Sequence, residues 1–241
     1  MKLLVIVPAY NEEASILGVV ADLRTHCPEA DVLVVNDCSG DHTRQLLREH
    51  AVPYLDLPLN LGIGGGVQAG YRYAAEHCYD IAVQFDGDGQ HRADCIHRLI
   101  QPIAEGEADM VIGSRFIVAE GEEKGFQSSA LRRTGISILS ALIRLCTGRT
   151  VKDATSGFRA CGKELIDLFA QAYAQDYPEP EAIVTALVCG YRVKEIPVRM
   201  NQRQGGVSSI RALKSVFYMA KVSMAVLLAG LRLNRKGGRR A

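Results

Sequence analysis

Short apolar segments alternate with helical patterns through the first half of this 241-residue chain. Five apolar runs are typical of buried strands, and a segment of helical periodicity follows each of the first four. Strands and helices that alternate at this spacing predict an α/β fold, with a mostly parallel sheet and helices on both faces. The predicted strands are residues 3–7, 32–35, 52–57, 81–85 and 110–112, and the predicted helices are residues 12–23, 41–49, 64–76 and 94–103.

A polar cluster follows each predicted strand. Open α/β sheets bind their ligands outside the carboxyl ends of the strands, so these clusters predict a ligand site at that edge. The clusters are residues 8–12, 36–41, 60–66, 86–90 and 113–115.

The cluster after the fourth strand contains Asp86 and Asp88, one position apart, and then Gln90. Carboxylate and amide oxygens suit a hard divalent cation such as Mg²⁺ or Mn²⁺. A metal-free Asp/Gly turn explains the same residues, and this segment alone favours neither interpretation.

Two further clusters suggest contacts to a ligand. Gly64 lies in a glycine-rich segment before a helix, where helix N-termini favour anions, although the segment alone is better explained as a tight strand–helix turn. Asp37 can accept hydrogen bonds from a nucleobase or ribose. Asp41 is more simply a helix N-cap.

The second half has a looser pattern. It contains a charged loop, a polar turn, three helices, a strand and a last long helix. We predict one catalytic domain over residues 1–209 and a C-terminal helix and tail over residues 210–241. The corresponding segments are residues 120–127, 153–159, 131–146, 163–172, 181–189, 192–198 and 210–232.

Composition is that of an ordinary globular protein, with 48% hydrophobic and 23% charged residues. The seven cysteines form no Cys-x-x-Cys pair, so their spacing favours neither a disulfide framework nor a zinc site. Because residues 3–7 already fit a core strand, no N-terminal signal is expected and a cytoplasmic setting follows.

The net charge of +1 conceals an acidic body and a basic tail. Residues 199–241 hold ten of the 28 Lys and Arg residues and no acidic residue, which points to an anionic surface or substrate. Arg211, Lys214, Lys221 and Arg232 fall on one stripe of an otherwise apolar helix. An interfacial amphipathic helix fits better than a spanning helix or one that packs on the body or a partner.

Eight segments in order resemble family 2 glycosyltransferases, and more narrowly the dolichyl- or polyprenyl-phosphate sugar synthases. The resemblance implies a GT-A fold and an inverting transfer from a nucleotide diphosphate sugar. Two positions depart from the pattern: Asn36-Asp37 replaces the usual acidic pair, and Ser209 stands where close relatives often carry Lys, with Lys214 as a substitute. The segments are residues 7–13, 35–41, 60–62, 86–91, 113–116, 155–159, 195–198 and 203–209.

The resemblance also implies roles for individual residues. It places four residues around the nucleoside and three on the metal. It places three arginines, one of them at position 132 or 133, at the diphosphate or the acceptor phosphate. These groups are Pro8, Tyr10, Glu12 and Asp37; Asp86, Asp88 and Gln90; and Arg115, Arg132 or Arg133, and Arg203. Among them Asp88, Arg115 and Arg203 are the predicted catalytic residues.

The expected acceptor is a polyprenyl phosphate at the inner face of the cytoplasmic membrane, where the protein is peripherally bound to anionic lipid. A lipid phosphate is already ionised and needs no general base, whereas a saccharide hydroxyl needs one. Asp176, Glu179 and Glu181 lie where such a base could be, although turn and cap roles explain them better. A sugar nucleotidyltransferase and a non-catalytic nucleotide-sugar scaffold are the remaining alternatives. A small membrane protein or a second copy is a possible partner, and nucleic acid is not expected.

Overall fold

The computed structural model describes residues 1–117, 130–201, 221–225 and 227–228. Within this part, seven strands form one sheet: β1 (Leu3–Ala9), β2 (Asp31–Asn36), β3 (Tyr54–Asp56), β4 (Ile81–Gln84), β5 (Met110–Ser114), β6 (Arg159–Gly162) and β7 (Val193–Pro197). The strand order is β3-β2-β1-β4-β6-β5-β7.

Seven labelled helices connect these strands or follow them. They are α1 (Ile16–His26), α2 (Thr43–Glu49), α3 (Gly62–Glu76), α4 (Ile96–Ala104), α5 (Ala130–Thr147), α6 (Lys163–Gln171) and α7 (Pro178–Val188). A 3₁₀ turn at Ala93–Cys95 precedes α4.

The sheet is buried on both faces, which explains the continuous apolar runs of its strands. Side chains of β1 alternate between two cores because successive strand residues point to opposite faces. Val5 and Val7 pack in the core that includes α1 and α4, whereas Leu4 and Ile6 pack in the core that includes α3, α6 and α7. The predicted α/β fold with helices on both faces is therefore confirmed.

One strand in the middle of the sheet runs against the others. β6 pairs antiparallel with β4 on one side and with β5 on the other. The sequence analysis missed this strand, because it ended a polar turn at Arg159 and assigned no element to residues 160–162 before the helix at 163–172. β6 has only four residues, begins with Arg and ends with Gly, and its partners are distant in sequence, so local pattern could not reveal it.

The predicted elements of the first half all exist, with boundaries shifted by a few residues. Helix α1 begins at Ile16, four residues later than predicted, because residues 10–15 form a turn at the sheet edge. The predicted loop at residues 120–127 lies outside the described residues. Of the predicted C-terminal helix, residues 221–225 and 227–228 are described and helical, and the rest lies outside. None of the described helices combines the length and apolar character that crossing a membrane requires.

Candidate active site

A cleft of about 650 Å³ lies at the carboxyl ends of β1, β2 and β4. This volume is within the range of sites that bind small ligands. The cleft brings together six of the predicted site residues: Pro8, Tyr10, Glu12, Asp37, Asp86 and Asp88. Asn60, Ile63 and Glu179 also line it.

A hydrogen bond joins the turn between β1 and α1 to the segment after β4, residues 86–90, which is called the acidic turn below. The hydroxyl of Ser15 lies 2.8 Å from a carboxylate oxygen of Glu12 and 2.8 Å from the carbonyl oxygen of Gly87. Ser15 is buried, whereas the ring of Tyr10 is about half exposed at the cleft wall. Glu12 is therefore held next to the acidic turn, and Tyr10 offers an aromatic surface to a ligand.

Asn36 and Asp37, which replace the usual acidic pair, have different roles. The Asn36 amide donates a hydrogen bond of 2.7 Å to Asp56 and so joins β2 to β3. Asp37 lines the cleft, and its Oδ1 accepts a 2.7 Å hydrogen bond from the Leu61 backbone N–H. Asp37 thus supplies a carboxylate to the cleft while it positions the turn before α3.

Asp41 was predicted as the N-cap of α2, but His42 occupies that position and Asp41 lies one residue before it. One carboxylate oxygen accepts from the backbone N–H of Thr43, the first residue of α2, and the other accepts from the backbone N–H of Glu13. Burial opposes ionisation of Asp41, but these hydrogen bonds outweigh it and lower the pKa of the carboxyl.

The acidic turn after β4 is ordered by its own backbone. Gly89 has φ +75°, a conformation that favours glycine, and the turn lets the Gln90 N–H donate to Asp88 Oδ1 at 3.0 Å. The Gln90 carbonyl accepts a 2.8 Å hydrogen bond from the Asn201 N–H. The segment after β7 therefore returns to this turn and supports it from outside.

His91 lies directly behind Asp86. Its Nδ1 accepts the backbone N–H of Asp86 at 3.1 Å, and its Nε2 lies 3.5 Å from Asp86 Oδ2. The ring stacks on Phe158 at 4.9 Å, and burial lowers the pKa of His91 to about 4. The imidazole is therefore neutral at pH 7, and because Nδ1 accepts, Nε2 carries the hydrogen that faces the carboxylate. His91 therefore positions Asp86, although His91 is not itself one of the predicted metal ligands.

Two glycines are required by close packing around the site. A Cβ at Gly157 would lie 2.8 Å from Asp86 Oδ1, so this glycine makes room for the carboxylate. A Cβ at Gly64 would lie 2.3 Å from the Ala174 carbonyl oxygen. Gly64 was predicted as a ligand-binding residue. In the structure, the absence of a side chain at Gly64 lets α3 pack closely against the residues after α6.

Arg115 follows β5 and forms a buried ion pair. Its guanidinium contacts both carboxylate oxygens of Asp153 at 2.7 and 2.8 Å and donates to Thr155 Oγ1 at 2.9 Å. The Asp153 side chain is 0% exposed and that of Arg115 is 7% exposed. Asp153 is in turn held by Glu195, whose carboxylate accepts the Asp153 N–H. The structure thus places the predicted catalytic residue Arg115 in a network that joins β5, the 153–155 turn and β7.

A layer of buried polar groups lies in the sheet next to the cleft. The Arg159 side chain is fully buried and donates to the backbone carbonyls of Glu179 and Ser156. Gln84, its neighbour in the β4–β6 register, is also fully buried, and both its amide atoms lack a partner within the described part of the chain. Burial raises the pKa of Glu179 in the cleft wall, and the charge of Arg159 partly offsets that rise.

Two predicted arginines are not placed. Arg203 lies outside the described residues, as do Ser209 and Lys214. Arg132 belongs to the first turn of α5, but its side chain and that of Arg133 are outside what the structure describes.

Comparison with known proteins identifies the family. The model of the family described as glycosyl transferase family 2 matches residues 4–169. A Micrococcus luteus undecaprenyl-phosphate mannosyltransferase is 33% identical over 220 residues, which cover 87% of this chain and 88% of the relative. A Methanococcus voltae UDP-N-acetylglucosamine–dolichyl-phosphate N-acetylglucosaminyltransferase is 32% identical over 214 residues, with 80% and 83% covered.

Solved structures share the fold at lower identity. Glucosyl-3-phosphoglycerate synthase from Mycobacterium tuberculosis, solved in complex with Mn²⁺, UDP-glucose and phosphoglyceric acid, has a TM-score of 0.68 at 19% identity. The match covers 95% of this chain and 79% of that one, and it confirms the predicted GT-A fold. With its family model and its relatives in agreement, the chain belongs to the family 2 glycosyltransferases.

Proposed function

We propose that this glycosyltransferase moves a sugar from a nucleotide diphosphate sugar to a polyprenyl phosphate, with a divalent metal ion on the diphosphate. The observation that supports this reaction is the cleft, which Asp86 and Asp88 line together with Tyr10 and Asp37. The acceptor class is supported by the two relatives, whose names specify undecaprenyl and dolichyl phosphates.

The residues present fit a hard divalent cation. Asp86 and Asp88 supply carboxylate oxygens, the donor type that Mg²⁺ and Mn²⁺ prefer, and both line the cleft. A bound ion would neutralise the charge that develops on the departing nucleoside diphosphate. Mn²⁺ in the solved neighbour supports this assignment, while Gln90 is proposed as the third ligand from its sequence position.

The other cleft residues would bind and orient the donor. Tyr10 would stack on the base or ribose, and the Asp37 carboxylate would accept hydrogen bonds from the nucleoside. Arg115 and Arg203 remain proposed contacts to the acceptor phosphate or the diphosphate. Because a lipid phosphate is ionised at neutral pH, holding it in line with the anomeric carbon is the main requirement.

A second candidate function is transfer to a saccharide hydroxyl. The position of Glu179 supports it, because such an acceptor needs a general base. Glu179 lines the cleft, and burial raises its pKa, as expected of a general base. Replacing Glu179 with Gln would abolish transfer to a hydroxyl acceptor and spare transfer to a phosphate. The two functions are therefore separable with one variant.

The proposed function is tested by incubating the protein with labelled nucleotide sugars, Mg²⁺ or Mn²⁺, and polyprenyl phosphate. A labelled product that extracts into organic solvent and depends on the phosphate acceptor supports the proposal. Polyprenol without phosphate is the matched control. Release of nucleotide with only water-soluble product would support the hydroxyl acceptor, and binding of the donor without turnover would support a scaffold.

We propose that the protein acts peripherally on the inner face of the cytoplasmic membrane, through its basic C-terminal segment. Deleting residues 211–241 is expected to release the protein from liposomes that contain anionic lipid, because each basic residue near the surface contributes about 1 kcal/mol. Co-sedimentation measures this. Neutral liposomes are the control, and equal binding of the full-length and shortened proteins would contradict the proposal.

Replacing His91 with Phe is expected to weaken metal binding about 10- to 100-fold, the usual effect of losing a residue that orients a metal ligand. The phenyl ring can keep the stack on Phe158 but removes both nitrogen contacts to Asp86. Titration of Mn²⁺ by electron paramagnetic resonance measures the affinity.

His77→Phe is the matched control for the His91 variant. His77 is exposed and stacks on Tyr73 near the end of α3, at a distance from the acidic turn along the chain. Equal Mn²⁺ affinity in the two variants would show that His91 does not orient the carboxylate.

A further inference from the structure

A second group of metal-binding side chains lies away from the active-site cleft. Cys27 follows α1, Glu29 follows two residues later, and His97 lies in the first turn of α4. Ligand atoms of the three residues lie within 4.8 Å of one another. The Cys27 sulfur is 3.8 Å from His97 Nε2, which also lies 3.0 Å from the His26 carbonyl oxygen. Glu29 Oε1 is 3.5 Å from the other ring nitrogen, Nδ1.

One ring nitrogen alone can bind a given ion, so the sulfur of Cys27 and Nε2 of His97 are the pair to compare with a tetrahedral site. An ion with bonds of about 2.0–2.3 Å holds its ligand atoms roughly 3.3–3.7 Å apart. The sulfur and ring nitrogen already approach this spacing. The side chains of Glu29 and His97 are 50% and 56% exposed, so an ion can enter from solvent. On binding, Glu29 would turn from Nδ1 toward Nε2, and Nε2 would exchange its contact with the His26 carbonyl for the ion.

Thiolate, imidazole and carboxylate together suit borderline transition metals better than Mg²⁺ or Ca²⁺, which prefer oxygen alone. We propose that Cys27, Glu29 and His97 form a second metal site that takes a transition-metal ion such as Zn²⁺. Three protein ligands would leave the fourth position to water.

The Cys27 thiol must lose its proton before the sulfur can bind a metal ion. Burial, with the nearby carboxylates of Glu29 and Asp22, raises the pKa of the Cys27 thiol to about 11. Without metal, Cys27 is therefore a neutral thiol at pH 7. On binding, the sulfur–hydrogen bond is replaced by a sulfur–metal bond, and the proton leaves to solvent.

The site would join two segments that matter for the acidic turn. Without metal, the Cys27 thiol donates to the Ala93 carbonyl at 3.8 Å, a contact that ends when the proton leaves. The Ala93 N–H donates to Asp22 in α1 at 3.3 Å. Ala93 lies two residues after His91, which contacts Asp86. A metal between α1 and α4 would therefore hold His97 in place, at the end of the segment 86–97 that begins with the proposed active-site ligands.

Cobalt titration of the full-length, metal-stripped protein tests the proposal. Co²⁺ bound to a thiolate gives a charge-transfer absorption band in the near ultraviolet, whereas Co²⁺ bound only to Asp86 and Asp88 has no sulfur ligand and gives none. We expect the band to saturate at one equivalent and to disappear when Zn²⁺ is added. Absence of the band in the wild-type protein overturns the proposal.

Two variants test proposed ligands, and a third is the control. His97→Gln is the primary one, because its half-exposed side chain can be changed without disturbing the core, and it is expected to weaken Co²⁺ binding at least tenfold. Cys27→Ser should remove the band, while Cys78→Ser, a change at an exposed cysteine, should leave it intact. A band that survives in His97→Gln with unchanged affinity, or that is lost in Cys78→Ser, overturns the assignment.

Discussion

Replacing Asp88 with Asn is expected to reduce the rate of sugar transfer about a thousandfold, with little change in folding. The substitution removes one negative charge from the proposed metal site and keeps the size of the side chain. Asp88 lines the cleft, and its Oδ1 accepts the Gln90 N–H, a bond that an Asn oxygen can also accept. The turn should therefore persist while metal affinity and turnover fall together.

Asp80→Asn is the matched control for Asp88→Asn. Asp80 precedes β4 at the opposite edge of the sheet, where it accepts the Lys2 backbone N–H. Initial rates at saturating donor and several Mn²⁺ concentrations compare the two variants. Asp88→Asn with wild-type activity at every metal concentration would remove Asp88 from the proposed ligands.

Replacing Asp153 with Ala is expected to lower the free energy of unfolding by about 3–5 kcal/mol, the usual cost of leaving one charge of a buried ion pair without its partner. Arg115 would keep its buried guanidinium but lose two charge-assisted hydrogen bonds. Urea denaturation followed by circular dichroism measures the change.

A surface pair provides the comparison for Asp153. Lys194 and Glu107 are 2.7 Å apart, with both side chains about half exposed. Glu107→Ala should therefore lower the free energy of unfolding far less than Asp153→Ala does. The double variant Arg115→Met/Asp153→Leu should recover much of the lost stability, because no charge is left unpaired. A loss below about 1 kcal/mol in Asp153→Ala would show that the pair does not stabilise the fold.

Local sequence patterns were sufficient for the parts of the fold that depend on local physics. The apolar runs of β1, β2 and β4 predicted their strands, because strands buried on both faces need continuous apolar sequence. The polar residues after those strands predicted the edge at which the cleft lies. Pro8, Tyr10, Glu12 and Asp37 converge there with Asp86 and Asp88 because parallel strands bring their carboxyl ends together.

The missed features depend on contacts between segments distant in sequence. Ser15 is joined to Gly87 across 72 positions, and Gly157 is required by a carboxylate 71 positions earlier. The group formed by Cys27 and His97 spans 70 positions, so the search for short cysteine and histidine spacings could not find it. In β6, Arg159 obscured the strand, since a buried charge is rare in strand sequences.

The position of β6 also determines when the sheet can be completed during synthesis of the chain. β4 and β5 are separated in the sheet by a strand that is made after both, so the centre of the sheet stays open until residue 162 has emerged. Phe158 and Gly157, which pack against His91 and Asp86, arrive in the same late segment. A nascent chain that ends before residue 157 can pair β1, β2 and β4, but its acidic turn lacks these packing partners. Long-range pairing of this kind is slow, so competence to bind the donor should be among the last properties that the chain acquires.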